Sequence, residues 1–247
     1  MRTVSSRIAS ALLISAAAIA APAAASAQDW TGFYIGLNGG AGMNSVDWSK
    51  LVVPSSPSYG LPGESGIITP SQGGLEGGAQ VGFNQQMGMW VWGVEASFDG
   101  ADLHGTSQCL GGGSDYHATC GSRTSWMFDF TGRIGGTVGP ALLYLKAGGD
   151  LSGQTTHATD VLYYGSNYGS FKPSHSTPLG YLLGVGAEVA FTDDVSGALE
   201  YDYTSTEFTA HMIPSPALAL TDAGLPFQVH VLHTANMVTA RLNFKID

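Results

Sequence analysis

The chain has 247 residues, 35 of them glycine, with 9 Lys and Arg against 19 Asp and Glu. A formal charge of −10 argues against nucleic acid, or any other polyanion, as a partner. Beyond the N-terminal segment no run is long and apolar enough to cross a membrane as a helix, which excludes a helical membrane protein.

In chain order, Arg2 and Arg7 form a basic start, Ile8 to Ala20 is apolar, and Ala25-Ser26-Ala27 presents a small-x-small pattern. This predicts an exported chain with a signal peptide over 1–27 and a single domain over 28–247. A retained N-terminal helix is the alternative, disfavoured because the Ala-rich stretch runs straight into a cleavage site. All nineteen acids follow the cut and two of the nine bases precede it, leaving the mature chain at −12.

Eight later segments alternate apolar and polar residues, the period of a strand with two different faces. The first runs near Thr31 to Ala41, with Phe33, Ile35 and Leu37 on one face. The second carries Leu75, Ala79, Val81 and Phe83 against Glu76, Gln80 and Asn84. The third sets Trp90, Trp92, Val94, Ala96 and Phe98 against Glu95, Ser97 and Asp99. In the fourth, Trp126, Phe128, Phe130, Ile134 and Val138 oppose Asp129, Thr131, Arg133 and Thr137. The fifth places Leu143, Leu145, Ala147 and Leu151 opposite Tyr144, Lys146, Asp150 and Ser152.

The sixth carries Leu179, Tyr181, Leu183, Val185, Ala187, Val189 and Phe191 against Gly180, Gly184, Gly186 and Glu188, with Leu182 as an apolar exception. The seventh has Val195, Leu199, Tyr201 and Tyr203 against Ser196, Glu200 and Asp202. The eighth has Val238, Ala240, Leu242, Phe244 and Ile246 against Thr239, Arg241, Asn243 and Lys245. Every charge falls on the polar faces, the reverse of a soluble sandwich, which hides its apolar faces and exposes its charges. Between Val231 and Val238 the apolar register changes parity, which predicts a β-bulge there.

Gln85 to Met89, Gly139-Pro140 and Thr192 to Asp194 read as tight turns, whereas 42–73, 100–123, 155–177 and 205–230 read as long loops. Short turns alternating with long loops predict an all-β fold: an eight-stranded antiparallel transmembrane β-barrel with short periplasmic turns and long outer loops. Closure satisfies the strand edges that lipid cannot, and an even strand count puts both termini on the periplasmic side. Cys109 and Cys120 bracket a Gly-rich segment, and export favours a disulfide between them. It stabilises by about 3 kcal/mol on the loop-entropy estimate. Two free thiols or an intermolecular bridge are the alternatives, and no spacing suggests a metal site.

Asp29-Trp30-Thr31-Gly32-Phe33-Tyr34-Ile35-Gly36 resembles the opening strand of the small alphaproteobacterial outer-membrane proteins called immunogenic, opacity-type or porin-family barrels, related to the OmpA membrane domain. Gly132-Arg133-Ile134-Gly135, Leu143-Tyr144 leading to Gly148-Gly149, and Gly184-Val185-Gly186-Ala187-Glu188 followed by Leu199-Glu200-Tyr201 continue the resemblance. Ala240-Arg241-Leu242-Asn243-Phe244-Lys245 is similar to the closing strand. The resemblance covers the strands and not the loops. It implies the outer membrane of a Gram-negative bacterium, insertion by the barrel-assembly machinery and a surface-antigen role. Members of that family end on an aromatic residue that the assembly machinery reads; here Ile246 and Asp247 stand at that place.

Seven inward charges form the candidate site: Glu95, Asp129, Arg133, Lys146, Glu188, Glu200 and Arg241. An eight-stranded barrel is just wide enough to be filled by side chains, so these charges are expected to form a hydrogen-bonded plug. The rival is a narrow path through the space left by Gly180, Gly184 and Gly186, which would prefer cations. Trp90, Trp92 and Phe191 near one rim, and Trp126, Tyr201 and Tyr203 near the other, read as interfacial girdles, with sugar binding as the lesser reading.

All seven histidines (His104, His117, His157, His175, His211, His230, His233) fall in or at the edge of the expected outer loops. Simple exclusion from lipid and lumen accounts for them; haem capture, which the family resemblance brings in, is the alternative. No cofactor is otherwise expected. Apolar residues at 162–171, 212–220 and 226–232 mark contact surfaces or strand extensions. No His stands on a membrane strand beside a suitable Ser, so no catalytic site is expected. The expected role is structural and surface-presenting, monomeric by default, with lipid around it and a host or surface ligand at the loops.

Overall fold

The computed structural model describes residues 28–52, 71–109, 116–163, 166–167, 173–212 and 227–246. The expected signal segment, 1–27, and Asp247 lie outside them. Ten strands appear: β1 (Gly32–Val52), β2 (Ser71–Met87), β3 (Trp90–Cys109), β4 (Tyr116–Val138), β5 (Ala141–Tyr163), β6 (Ser166–Asn167), β7 (Ser174–Ser176), β8 (Leu179–Ala190), β9 (Val195–Met212) and β10 (Phe227–Ile246).

Eight of them form a ring in the order β4-β3-β2-β1-β10-β9-β8-β5, closed by β4 on β5. Every pairing is antiparallel. β10 closes on β1 from Phe33↔Ile246 upward, so neither terminal strand keeps an open edge. The short strand β7 continues the column of β8 along β5, pairing Gln154 to Thr156 where β8 has ended.

The alternation sorts side chains as the period-2 reading predicts. Phe33, Leu37, Leu75, Phe98, Phe130, Leu145, Leu183 and Leu199 are exposed on the outer face. Their inward neighbours are buried and mostly polar, so this barrel turns an apolar surface outward and keeps its charges within. Outward charges begin only beyond Phe98 and Trp126, where Asp102 meets Arg123 at 3.0 Å. Aromatic neighbours pair along this surface, as in Phe33 with Phe83 at 4.9 Å and Phe98 with Trp126 at 6.2 Å between ring centroids.

The tight turns lie at one rim with Gln28 and Ile246. Gly88 and Gly139 adopt φ of +64° and +61°, a conformation open to glycine and strained for other residues. Gly139-Pro140 thus fits the two-residue hairpin pattern with glycine first. The first turn is tighter than predicted, because β2 runs on to Met87 and leaves Gly88-Met89 alone. At the third, Thr192 Oγ1 accepts from the backbone NH of Asp194 (3.3 Å) and Val195 (3.0 Å).

At the other rim the structure corrects the loop assignment. Nearly all the described residues of 42–73, 100–123, 155–177 and 205–230 are strand: β4 and β5 run 23 residues each and β1 runs 21. About ten residues cross a bilayer, so the longer strands stand roughly 25 Å beyond it at ordinary tilt. The signal is weak there because both faces are polar once the outer one meets water. The ladder continues without an apolar stripe to announce it. Of the expected apolar loop residues, Tyr164, Tyr168, Phe171, 213–220 and Pro226 lie outside the described residues.

The predicted bulge in β10 is absent, since its register against β1 and β9 is unbroken from His230 to Phe244. The apolar parity changes there because Val231, Ala235 and Met237 point inward. The shift in parity belongs to β4 instead. Ser125 is the extra residue opposite β5 between Thr124↔Gln154 and Trp126↔Gly153. Below it Met127, Asp129 and Thr131 face inward; above it Ser122 and Thr124 do.

Candidate lumenal charge network

The interior is layered. At the turn-side mouth Trp30, Val91, Leu142 and Tyr144 pack together with Ala190 behind them. Trp30 is held by its backbone NH, which donates to Gln86 Oε1 at 2.9 Å. Towards the far rim a second apolar cluster joins Ala101, Leu103, Met127, Ala235 and Met237. Charged residues lie between.

All seven predicted site residues face inward, with 2–8% of their surface exposed. Arg241 Nη1 donates to Glu95 Oε1 (2.6 Å) and to Glu200 Oε1 (2.9 Å). Lys146 Nζ donates to Glu200 Oε2 (2.6 Å) and lies 3.1 Å from Asp202 Oδ2. Arg133 Nη1 donates to Glu188 Oε2 (3.2 Å) and its Nε to Asn84 Oδ1 (2.8 Å). Six of the seven are thereby joined to an opposite charge. Asp129 stands apart: its register partner across β4 and β5 is another acid, Asp150.

Several partners escaped the sequence reading. Tyr34 OH donates to Glu95 Oε2 (2.6 Å), and Tyr144 OH donates to Glu200 Oε1. The Arg133 guanidinium lies 4.7 Å from the Tyr34 ring centroid and 5.1 Å from that of Tyr144, close enough for cation–π attraction. Glu188 Oε1 accepts from Ser196 Oγ (2.5 Å) and Asn243 Nδ2 (2.8 Å). Gln80 then links Asn243 to Asn38. The one available signal was parity, which puts each of these residues on the same face as the charges.

The inner glycines face neighbouring side chains at close range. A Cβ on Gly186 would meet the Tyr144 ring, one on Gly184 would meet Asp202 and Lys146, and one on Gly180 would meet Thr206. At the turn-side mouth a cavity of about 30 Å³ remains, bordered by Trp30, Tyr34, Asn84, Glu188 and Asn243. That is room for no more than a water or two.

Residues 9–223 match the outer membrane protein β-barrel domain family. The chain belongs to that family. It is 31% identical over 179 residues to the 31 kDa outer-membrane immunogenic protein of Brucella melitensis biotype 1, covering 71% of this chain and 70% of that protein. The 22 kDa outer membrane protein of Rhizobium leguminosarum bv. viciae is 28% identical over 181 residues, covering 72% of this chain and 65% of that protein. Among solved structures, OprG of Pseudomonas aeruginosa aligns over 87% of this chain and 97% of its own with a TM-score of 0.52 at 13% identity, a likeness of fold. The barrel accordingly resides in the outer membrane of a Gram-negative bacterium.

The barrel's histidines do not lie in loops, as predicted, but on the extended parts of strands, and they are dispersed. His233 is buried, its Nε2 3.2 Å from Asn44 Nδ2. His104 stands outside beside Asp102 (3.4 Å), His230 beside Glu207 (3.8 Å) and His175 beside Thr155 (3.0 Å). His157 packs near Gly121, and the side chains of His117 and His211 lie outside the described residues. No group of three His, Cys, Asp or Glu among the described residues converges as a metal cage. Cys120 is disulfide-bonded. It is buried and faces Ser107 across β3 and β4, two residues from Cys109, whose side chain lies outside the described residues.

Proposed function

We propose that this protein is a closed outer-membrane barrel, monomeric and non-catalytic, whose task is to hold its long strand extensions and their connecting segments at the cell surface. The observation that carries this reading is the spending of every lumenal cation. Arg133, Lys146 and Arg241 are each engaged by buried carboxylates, between an apolar cluster on either side. Conduction would require these pairs to part, and separating buried charges in a low-dielectric interior is costly. The extensions then meet the environment, with a host or surface ligand as their partner. The immunogenic character named for the Brucella relative fits such exposure.

One observation favours a second reading, a narrow cation-preferring channel. Seven buried carboxylates line the described interior against three basic side chains, and rings of acids favour cations. Two experiments, one on intact cells and one on the refolded protein, separate these readings. Protease or antibody access on intact cells tests whether the 42–52 and 203–212 extensions are displayed. Liposome swelling with small solutes tests the interior. Displayed extensions with no swelling support the closed barrel; swelling at rates typical of a porin sinks it.

A further inference from the structure

The two shortest strands of the ring stand opposite each other. β2 begins at Ser71 and β8 at Leu179, and three strands separate them either way round. Beyond those residues β1, β9 and β10 continue on one side, and β3, β4 and β5 on the other. Among the described residues, the ladders there run only within β9–β10–β1 and within β3–β4–β5, to which β6 and β7 are added. The extension is therefore two blades joined by side chains. Leu103 of β3 packs with Ala235 and Met237 of β10, and a Cβ on Gly42 of β1 would lie 3.5 Å from Leu103 Cδ2.

His233 is the next inward residue of β10 above Ala235, beyond the girdle of Tyr201 and Tyr203. It is 4% exposed. Asn44 Nδ2, a donor only, gives a hydrogen to His233 Nε2 at 3.2 Å, so the ring is neutral with its own hydrogen on Nδ1. Its cross-strand neighbours are Val46 and Thr206. The inward carboxylate in the same register row, Asp150, is three strands away and bonded to Thr206 Oγ1. Asp99, Asp129 and Asp202 lie lower on β3, β4 and β9. Asp102, His104 and Arg123 stand outside on β3 and β4, as do Glu207 and His230 on β9 and β10. The side chains of Asp47, Lys50, His117 and His211 lie outside the described residues. Burial disfavours the charged imidazole and pushes the His233 pKa down to about 4.

We propose that His233 is an acid-sensitive lock between the two blades: once protonated it leaves the interior, and the extension opens while the membrane-crossing ring stays closed. Histidine is the side chain that changes charge close to neutral pH. The locked state takes no proton at His233 until about 4, whereas an opened, hydrated ring takes one below about 6.5. The lock is therefore fully held above the upper value and weakens as the pH falls towards the lower one. Turning the Asn44 amide would restore a hydrogen bond to the protonated ring but supplies no opposite charge. The inference concerns the extension alone and does not depend on whether the lumen conducts.

Amide hydrogen exchange of the refolded mature barrel in detergent, corrected for intrinsic rates, tests this. From pH 7 to pH 4.5 the opening of 44–49 and 229–235 is expected to rise roughly fiftyfold, with 142–150 unchanged, and to reverse on neutralisation. His233→Gln, neutral at both pH values, should abolish the rise. Glu207→Gln and Asp102→Asn, which alter carboxylates on the outside, should keep it. Heat-modifiable migration reports folding of each variant. Should His233→Gln fail to fold, the ring resonance of the wild type decides: His233 stays neutral at pH 5.5 wherever the extension is protected. The proposal is overturned by an acid rise that survives in His233→Gln or by a wild-type extension equally protected at both pH values. A His233 ring protonated inside a protected extension overturns it as well.

Discussion

Arg241 on β10 reaches across the lumen to Glu95 on β3, Nη1 to Oε1 at 2.6 Å, although β1 and β2 separate their strands in the ring. The pair therefore braces opposite parts of the wall, which ladder hydrogen bonds cannot do. Glu95 also accepts from Tyr34, and Arg241 also serves Glu200, so the brace belongs to a shared network.

Removing one member of this pair should cost more than removing both. Arg241→Met leaves Glu95 charged and only partly satisfied, and a broken buried pair costs about 3–5 kcal/mol. The double variant Glu95→Gln/Arg241→Met is expected to recover much of that loss. Denaturant titration of the refolded barrel, arranged as a double-mutant cycle, measures the coupling.

Gly186→Ala probes the packing of the same layer. Its new methyl would meet the Tyr144 ring, itself tied to Glu200. Overpacking of this kind costs roughly 1–3 kcal/mol. Gly88, whose Cβ would meet open space, keeps φ at +64°, so Gly88→Ala should lose stability through backbone strain of about 1 kcal/mol. Equilibrium unfolding distinguishes the two by a third variant: Gly186→Ala combined with Tyr144→Phe should relieve only part of the clash, because the ring edge as well as the hydroxyl fills the space.

Trp30→Ala removes the largest side chain of the turn-side cluster and should destabilise by about 3–5 kcal/mol. It is not expected to open the barrel, because Arg133, Glu188 and Asn84 lie above it. Unfolding and conductance measured on the same refolded sample check both halves of that statement.

Reduction of the disulfide should act locally. Cys120 lies on the extended part of β4, away from the membrane-crossing ladder. Cys120→Ser is expected to speed proteolysis and amide exchange around the tip of the β3–β4 hairpin while leaving heat-modifiable migration intact. Loss of heat-modifiable migration would show that the bridge supports the whole barrel.

The membrane-crossing part of the fold is legible in the sequence because each residue there answers to one of two sharply different surroundings. Leu145 faces lipid and Lys146 its partners, so a period of two is forced on the composition. Beyond Trp126 that contrast fades. Thr204 and Thr206 are buried inside β9 while Glu207 stands outside in water, and polar residues serve both faces. The strands consequently outrun their signal, and 100–123 or 205–230 reads as loop. Met237 and Ala235 mislead in the opposite direction, since apolar side chains within the far cluster mimic a change of face.

The candidate site is legible as to which residues point inward and not as to who meets whom. Parity places Glu95, Lys146 and Arg241 on one surface. Partnership depends on the stagger of the closed ring, which brings Arg241 to Glu95 across two intervening strands. Asp129 looks like any other inward acid until the β4–β5 hairpin register, unbroken from Val138↔Ala141, sets it opposite Asp150. Tyr34 was hidden for a simpler reason: an aromatic residue between lipid-facing ones does not announce a hydrogen bond to a carboxylate.

The central claim, that the lumen is closed by its own charges, is tested most directly by planar-bilayer conductance of the refolded mature barrel. The account predicts no discrete conductance in the wild type, and leak only when Arg133 and Arg241 are both replaced by neutral residues. Stable cation-selective steps in the wild type, shifting when Glu95 or Glu188 is neutralised, would contradict it and make the same carboxylates the lining of a pore.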